Sequence, residues 1–232
     1  MMKFSWGMED FMQDFTKYNT IFFDLDGTLS DSAIGIIRCL KYSLEKFSIV
    51  ENEEEKLRHY IGPSLTETYT KIYGMSDAQA VKATAFYRER FEREGIKENV
   101  MFEGVNHLLA GLKEQKKTMV IATAKPTEHA KQILEYYQID HYFTVIAGSN
   151  FDGTREHKGE VIKFALSQLE TPDVKNIIMV GDRQHDVLGA KENDLAVIGV
   201  GYGYGTLDEL TEAKPDKIVS SVAELSKILL GK

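Results

Sequence analysis

Cysteine is nearly missing from this sequence. Cys39 is the one cysteine among 232 residues, so no disulfide can form within the chain. That usage fits a reducing compartment, and the residues around Cys39 read as one face of a helix carrying an ordinary thiol. No uninterrupted apolar run approaches the roughly 18 residues that a membrane helix needs. Residues 1–19 lack the apolar centre of a secretory leader and carry Glu9, Asp10 and Asp14. The expected location is the cytoplasm, with no membrane partner. Basic residues are outnumbered: Lys plus Arg is 28 against 36 for Asp plus Glu, a net charge of −8. That balance argues against a nucleic-acid polymer as partner. Short repeats, low-complexity tracts and long flexible linkers are missing as well.

What remains is an ordinary globular composition, 43% hydrophobic and 28% charged. The length suits one large domain, or a core with an insertion, able to bury a substantial interior. The most informative stretch is Ile21-Phe22-Phe23-Asp24-Leu25-Asp26-Gly27-Thr28-Leu29. An apolar run ended by Gly reads as a buried strand meeting a loop. Side chains two apart on a strand point the same way, so Asp24 and Asp26 can both project beyond one strand end. Two close carboxylates repel unless a cation or proton intervenes. The pair therefore predicts a metal, an acid/base role, or both; the plainer alternative is a capped strand end with two solvated aspartates.

The chain before this strand is aromatic, and Met8, Phe11, Met12 and Phe15 fit one face of a short helix packed on its own domain. After it, Ser30-Asp31-Ser32 offers N-cap residues to a helix through Ile34, Ile37, Leu40 and Leu44. Helical composition continues over 51–60, 65–73 and 77–94, broken at Ile61-Gly62-Pro63-Ser64-Leu65, with no convincing strand between 31 and 100. From residue 103 helices and strands alternate. Helices are expected over 105–115, 127–137, 158–169, 184–193 and 222–230, and strands over 118–122, 143–147, 177–180, 196–200 and 217–219. That order predicts an α/β fold with a parallel sheet covered on both faces. Ligands of such sheets sit beyond the carboxyl ends of the strands, where Asp24, Thr123 and Asp182 all fall. The run Gly199-Val200-Gly201-Tyr202-Gly203-Tyr204-Gly205 follows a late strand and is not followed at once by a helix; it reads as a loop beside the site rather than a dinucleotide fingerprint. Neither His157 nor His185 has metal-ligand spacing with another His or Cys.

Asp24-Leu25-Asp26-Gly27-Thr28, Thr123, Lys158, and Gly181-Asp182-Arg183-Gln184-His185-Asp186, in that order, resemble the four motifs of haloacid dehalogenase-like phosphatases. The resemblance runs over nearly all of residues 20–230. It implies a Rossmann-like core over 20–32 and 101–232, a helical cap over 33–100 and an N-terminal extension over 1–19. It further implies that Asp24 is the nucleophile and Asp26 the acid/base. Magnesium would be held by Asp24, by Asp26 through its main-chain carbonyl, and by Asp182, with Asp186 taking a metal-bound water or orienting Lys158. Oxygen ligands favour magnesium over zinc. Thr123 and Ala124 would offer donors to the phosphate, and Lys158 would offset its charge; for Thr123 alone a helix N-cap is the plain alternative. Dehalogenases of the family lack the second aspartate and ion-pumping ATPases carry Lys after the nucleophile, so both are excluded here.

The implied activity is a phosphomonoesterase acting on a small phosphorylated metabolite, as a monomer or homodimer. Residues 61–65 resemble the cap loop of phosphoglycolate phosphatase-like members. Residues 148–158 resemble a loop of the 5′-nucleotidase-like branch. Arg155 is then a candidate contact for a substrate anion or the cap, and Arg88 another, against a surface salt bridge for either. A β-phosphoglucomutase-like phosphotransferase and an inactive regulatory scaffold are the alternatives. Cap movement is expected, with hinges near 30–33 and 99–103.

Overall fold

The run before the aspartates forms a strand, β1 (Thr20–Phe23), placed between two neighbours of a six-stranded sheet. The computed structural model describes residues 14–62 and 64–231. The strands of this sheet are β1, β4 (Thr118–Pro126), β5 (Val145–Ser149), β6 (Ile177–Gly181), β7 (Ala196–Val200) and β8 (Lys217–Val219). They run in the order β5-β4-β1-β6-β7-β8, and every pairing is parallel. Chain order thus reverses at β1, with β4 on one side and β6 on the other. A crevice opens beyond the carboxyl ends at such a reversal.

Period-two alternation divides the core between the two faces. Ile21, Phe23, Ile121 and Val180 lie in one apolar cluster, whereas Phe22, Val120, Ala122 and Met179 lie in the other. The second cluster is covered by α7 (Lys158–Ser167) and α8 (Gln184–Glu192), through Val161, Ile162, Ala165, Val187 and Ala190. The first is covered by α5 (Val105–Glu114), α6 (Thr127–Tyr136) and α10 (Val222–Leu230). Full burial of one such Ile or Phe contributes about 1.5–3 kcal/mol, so this strand's register is strongly held.

Between β2 (Ser30–Asp31) and β3 (Val100–Met101) the described chain is helical: α1 (Ala33–Glu45), α2 (Glu54–Arg58), α3 (Leu65–Glu67) and α4 (Asp77–Arg93). α4 opens with a capping box in which Ser76 and Gln79 satisfy each other's main-chain donors. Inside this block the Ser43 and Tyr69 hydroxyls are hydrogen-bonded to each other, and Arg90 Nη1 lies 2.7 Å from Glu98 Oε2.

Several sequence expectations are corrected. β2 and β3 pair antiparallel at both ends of the helical block, and two residues are too few to carry a periodic signal. The stretch 65–73 is not one helix, because α3 passes into a single π turn over Thr68–Ile72. β4 runs past Ala122 to Pro126 through an irregularity, and β5 starts at Val145 because a 3₁₀ turn over Asp140–Tyr142 takes the preceding chain. The glycine-rich run is followed almost at once by a helix, α9 (Leu207–Ala213), which Thr206 caps by accepting from Glu209 N. Ser32 makes no side-chain cap on α1; Asp31 Oδ1 accepts from Ala33 N instead, at 3.0 Å. The aromatic face of Met8, Phe11 and Met12 lies outside the described residues, while Phe15 and Tyr18 are buried. No described helix is long and apolar enough to cross a membrane.

Candidate active site

Asp24 follows β1 directly, and its main-chain N–H donates to Val180 O at 2.9 Å. That bond carries the strand register one residue past Phe23 and aims the carboxylate into the crevice. Asp182 follows β6 in the same way. Lys158 opens α7, and its ammonium lies 2.8 Å from Asp24 Oδ1 and 2.9 Å from Ala122 O. The same nitrogen is 2.8 Å from Asp186 Oδ1. Asp186 sits on the first turn of α8, where its Oδ2 accepts from Arg183 N at 3.0 Å.

Asp24, Asp182 and Asp186 each present an oxygen within 4.8 Å of the others, and all three residues are buried. Burial, then the nearby Asp186 and Asp24 carboxylates, hold Asp182 well above the usual carboxylate range. Burial likewise raises Asp186, with Lys158 pulling the other way. Burial alone would lower Lys158; Asp186 and Asp24 outweigh it and keep the ammonium charged. Three buried carboxylates against one internal ammonium leave a deficit of positive charge. Their oxygen-only donor set fits a hard divalent cation such as magnesium.

Close approach around Asp182 explains the glycines. A Cβ on Gly27, where φ is +83°, would stand 2.2 Å from Asp182 Oδ2, and one on Gly203 would stand 2.4 Å from Asp182 Cβ. Tyr204 N donates to Asp182 Oδ2 at 2.6 Å, and the Tyr204 hydroxyl donates to Asp31 Oδ1 at 2.8 Å. The glycine-rich run is therefore a loop that touches the site, as its sequence suggested, despite the helix that follows it.

Asp26 pairs with a different lysine from Asp24. Its Oδ2 is 3.1 Å from Lys125 Nζ, and its buried Oδ1 has no hydrogen-bond partner among the described residues. Thr123 lies inside β4 and four residues before α6; its Oγ1 accepts from Lys125 N at 3.3 Å, so it is not that helix's N-cap. Thr123, Ala124, Lys158, Asp24 and Asp26 share the lining of one cavity of about 480 Å³.

The structure does not bring every candidate together. Arg155 is spent on its own loop: Nε donates to Gly148 O at 2.7 Å, Nη2 donates to Asn150 Oδ1 at 2.9 Å, and the guanidinium lies 3.8 Å from the Phe164 ring centroid. It is absent from the cavity lining, so the expected anion contact has no geometric basis. Arg88 does line the cavity, where its Nη1 donates to Phe151 O at 2.9 Å. His157 and His185 line it too, and burial lowers the His185 pKa.

Sequence reasoning missed Lys125 and Arg183. The Lys125 ammonium faces Asp26 and also lies 4.6 Å from the Phe91 ring centroid on α4. Arg183 donates through Nε to Glu209 Oε1 at 2.9 Å and through Nη1 to the Ile61 carbonyl, tying the loop after β6 to the helical block.

The chain is similar to known proteins over most of its length. Residues 21–200 match the family described as haloacid dehalogenase-like hydrolase. A protein of Pseudomonas aeruginosa named 5′-nucleotidase is 41% identical over 213 residues, covering 92% of this chain and 96% of that protein. A phosphoglycolate phosphatase of Vibrio parahaemolyticus is 29% identical over 90% of this chain and 95% of its own. The crystal structure of a predicted phosphatase from Clostridium acetobutylicum superposes with a TM-score of 0.88 at 42% identity, covering 93% of this chain and 99% of that one.

Proposed function

This chain belongs to the haloacid dehalogenase-like hydrolases, and on that premise we propose that it is a magnesium-dependent phosphomonoesterase working through an aspartyl-phosphate. At the coarser level it is a phosphatase of that family. The finer reading is carried by one observation: the buried Asp24 carboxylate, held 2.8 Å from Lys158, shares one cluster with Asp182 and Asp186, and Asp24, Lys158 and Asp186 line a cavity.

Asp24 attacks phosphorus, and the new P–O bond forms as the bond to the leaving alkoxide breaks. Asp26 donates its proton to that alkoxide, then takes one from the water that hydrolyses the acyl phosphate. Lys125, 3.1 Å from Oδ2, restrains the Asp26 carboxyl. Lys158 orients Asp24 through its 2.8 Å contact and balances charge on the phosphoryl oxygens. Thr123 and Ala124 hold those oxygens in line. Magnesium, when bound by the Asp24 and Asp182 carboxylates and the Asp26 carbonyl, with Asp186 ligating directly or through water, supplies positive charge to the phosphoryl group.

The helical block over 33–100 acts as a cap that chooses the substrate, and its hinges coincide with the β2–β3 ribbon. The substrate is a small phosphorylated metabolite, with the 5′-nucleotidase-like reading ahead of the phosphoglycolate phosphatase-like one on the similarity above. Phosphate release from a generic aryl phosphate tests the reading. Asp24→Asn should abolish it, and chelation should abolish it reversibly. Robust turnover by Asp24→Asn, or full activity in chelator, would overturn it.

A further inference from the structure

Asp24 and Asp26 each have their own lysine. Lys158 serves Asp24, and Lys125 Nζ lies 3.1 Å from Asp26 Oδ2. The Lys125 side chain is only 6% exposed and that of Asp26 only 12%. Little solvent screens such a pair, so its geometry is held tightly. Its desolvation offsets much of that attraction, and apolar residues of like volume hold a fold as well. The pair is therefore better explained by what it does to Asp26 than by what it adds to stability.

The main chain of Lys125 is fixed by the core. Pro126 confines the residue before it to extended backbone. Lys125 N donates to Thr123 Oγ1 at 3.3 Å, and Ser149 Oγ on β5 donates to Ala124 O at 2.8 Å. The far end of the side chain meets the helical block instead. Its Nζ lies 4.6 Å from the centroid of the Phe91 ring on α4. That ring is set in turn by Tyr87, stacked at 5.9 Å and 11°, and by His129, 4.7 Å away centroid to centroid. A ring face attracts an ammonium through its quadrupole, more strongly out of water. Lys125 thus stands between two bodies: its backbone and its carboxylate partner belong to the core, its ring to the helical block. Lys125, Asp26 and Phe91 all line the cavity that Asp24 lines.

We propose that Lys125 is a positioning residue for Asp26 and that Phe91 completes its seat, so that proton transfer at Asp26 reaches full rate only when the helical block lies against the core. The inference rests on the phosphatase reading, since it concerns that enzyme's acid/base. Lys125 and Phe91 act through the Asp26 carboxyl and form no bond to the phosphoryl group.

The two half-reactions call on Asp26 differently. When Asp24 attacks phosphorus, the bond to the leaving oxygen breaks and its electron pair goes with that oxygen. A p-nitrophenolate carries the pair without a proton. A phenolate, which holds a proton about as tyrosine does, leaves faster when Asp26 donates one. In the second half, water attacks phosphorus, its proton passes to Asp26, and the electron pair of the breaking P–O bond returns to Asp24. That half needs Asp26 whichever ester was used.

Steady-state and rapid-mixing kinetics on p-nitrophenyl and phenyl phosphate, which nearly share a shape, test the proposal. For Lys125→Met, kcat/KM should fall about ten- to a hundredfold on phenyl phosphate and at most about threefold on p-nitrophenyl phosphate. Its kcat on p-nitrophenyl phosphate should still fall at least about tenfold, with a burst of p-nitrophenolate in the first turnover as phosphoenzyme accumulates. Phe91→Leu leaves the ion pair in place and should show the same pattern at about three- to tenfold. Asp26→Asn should show it most strongly, and Lys125→Met added to Asp26→Asn should bring no further loss. The burst counts working sites, so a partly unfolded variant is still read, and Phe91→Leu carries the test if Lys125→Met does not fold. Equal losses of kcat/KM on the two esters, a loss confined to KM, or losses that multiply in the double variant overturn the positioning role. A Phe91→Leu protein with wild-type kinetics overturns the part given to the helical block. A wild type that releases phosphate from neither ester overturns the phosphatase reading, and the inference with it.

Discussion

Lys158→Met keeps most of the side chain and removes one charge from the centre of the site. In the native protein the ammonium contacts Asp24 Oδ1 at 2.8 Å, Asp186 Oδ1 at 2.8 Å and Ala122 O at 2.9 Å. The variant leaves Asp24, Asp182 and Asp186 buried around a neutral thioether. Removing one partner of a buried ion pair costs about 3–5 kcal/mol. In a chain of this size each kcal/mol lowers Tm by about 2–4 °C, so the expected drop is roughly 6–20 °C. The deficit depends on pH. Asp182 and Asp186 already have raised folded-state pKa values, and losing the ammonium raises them further. A carboxyl of that kind is no burden below its unfolded pKa and a growing one as pH climbs through the folded value. The deficit is therefore smaller near about pH 5 than near about pH 8. Thermal unfolding by circular dichroism at both pH values, in chelator, measures it. A deficit under about 1 kcal/mol at the higher pH, or an equal one at the lower, refutes the charge balance argued here. Turnover of an aryl phosphate should fall at least about a hundredfold.

Magnesium added to chelated wild-type protein should raise Tm, corresponding to about 2.7 kcal/mol at a hundred times Kd. Asp182→Asn should erase most of that rise in Tm when magnesium is titrated in the same way; an undiminished rise removes Asp182 from the metal set. Gly27→Ala places a Cβ 2.2 Å from Asp182 Oδ2 at a φ of +83°, so stability should fall by about 2–4 kcal/mol with loss of activity; denaturation within 0.5 kcal/mol of wild type, on the order of surface-substitution noise, would show that the loop has room. Cys39 is buried, and burial pushes its thiol up to about 11. A thiol reagent should label it only on unfolding, and rapid labelling of native protein would contradict that environment.

The sheet was legible because its signal is local. Ile21-Phe22-Phe23 ends at Asp24 and Ile177–Val180 ends one glycine before Asp182, and a strand that ends there puts the carboxylate at the sheet's rim. The charge balance was less so: Lys158 and Asp24 are 134 residues apart, and only the parallel pairing of β1 with β4 and β6 brings them together. Lys125 reads as a surface lysine until the fold sets it against Asp26. The β2–β3 ribbon has no signal at all at two residues per strand. α9 did have one, because Thr206 and Glu209 stand at capping-box spacing, which the glycines before them obscured. Arg155 illustrates the reverse case: a cation in a motif-like loop whose guanidinium serves the loop's own geometry.

The central claim is that Asp24 takes the phosphoryl group. Acid quench during turnover, followed by peptide mass spectrometry, tests it most directly. A phosphoryl adduct on Asp24, absent in Asp24→Asn, is the predicted result. An adduct on another residue, or steady turnover by Asp24→Asn, would contradict the account.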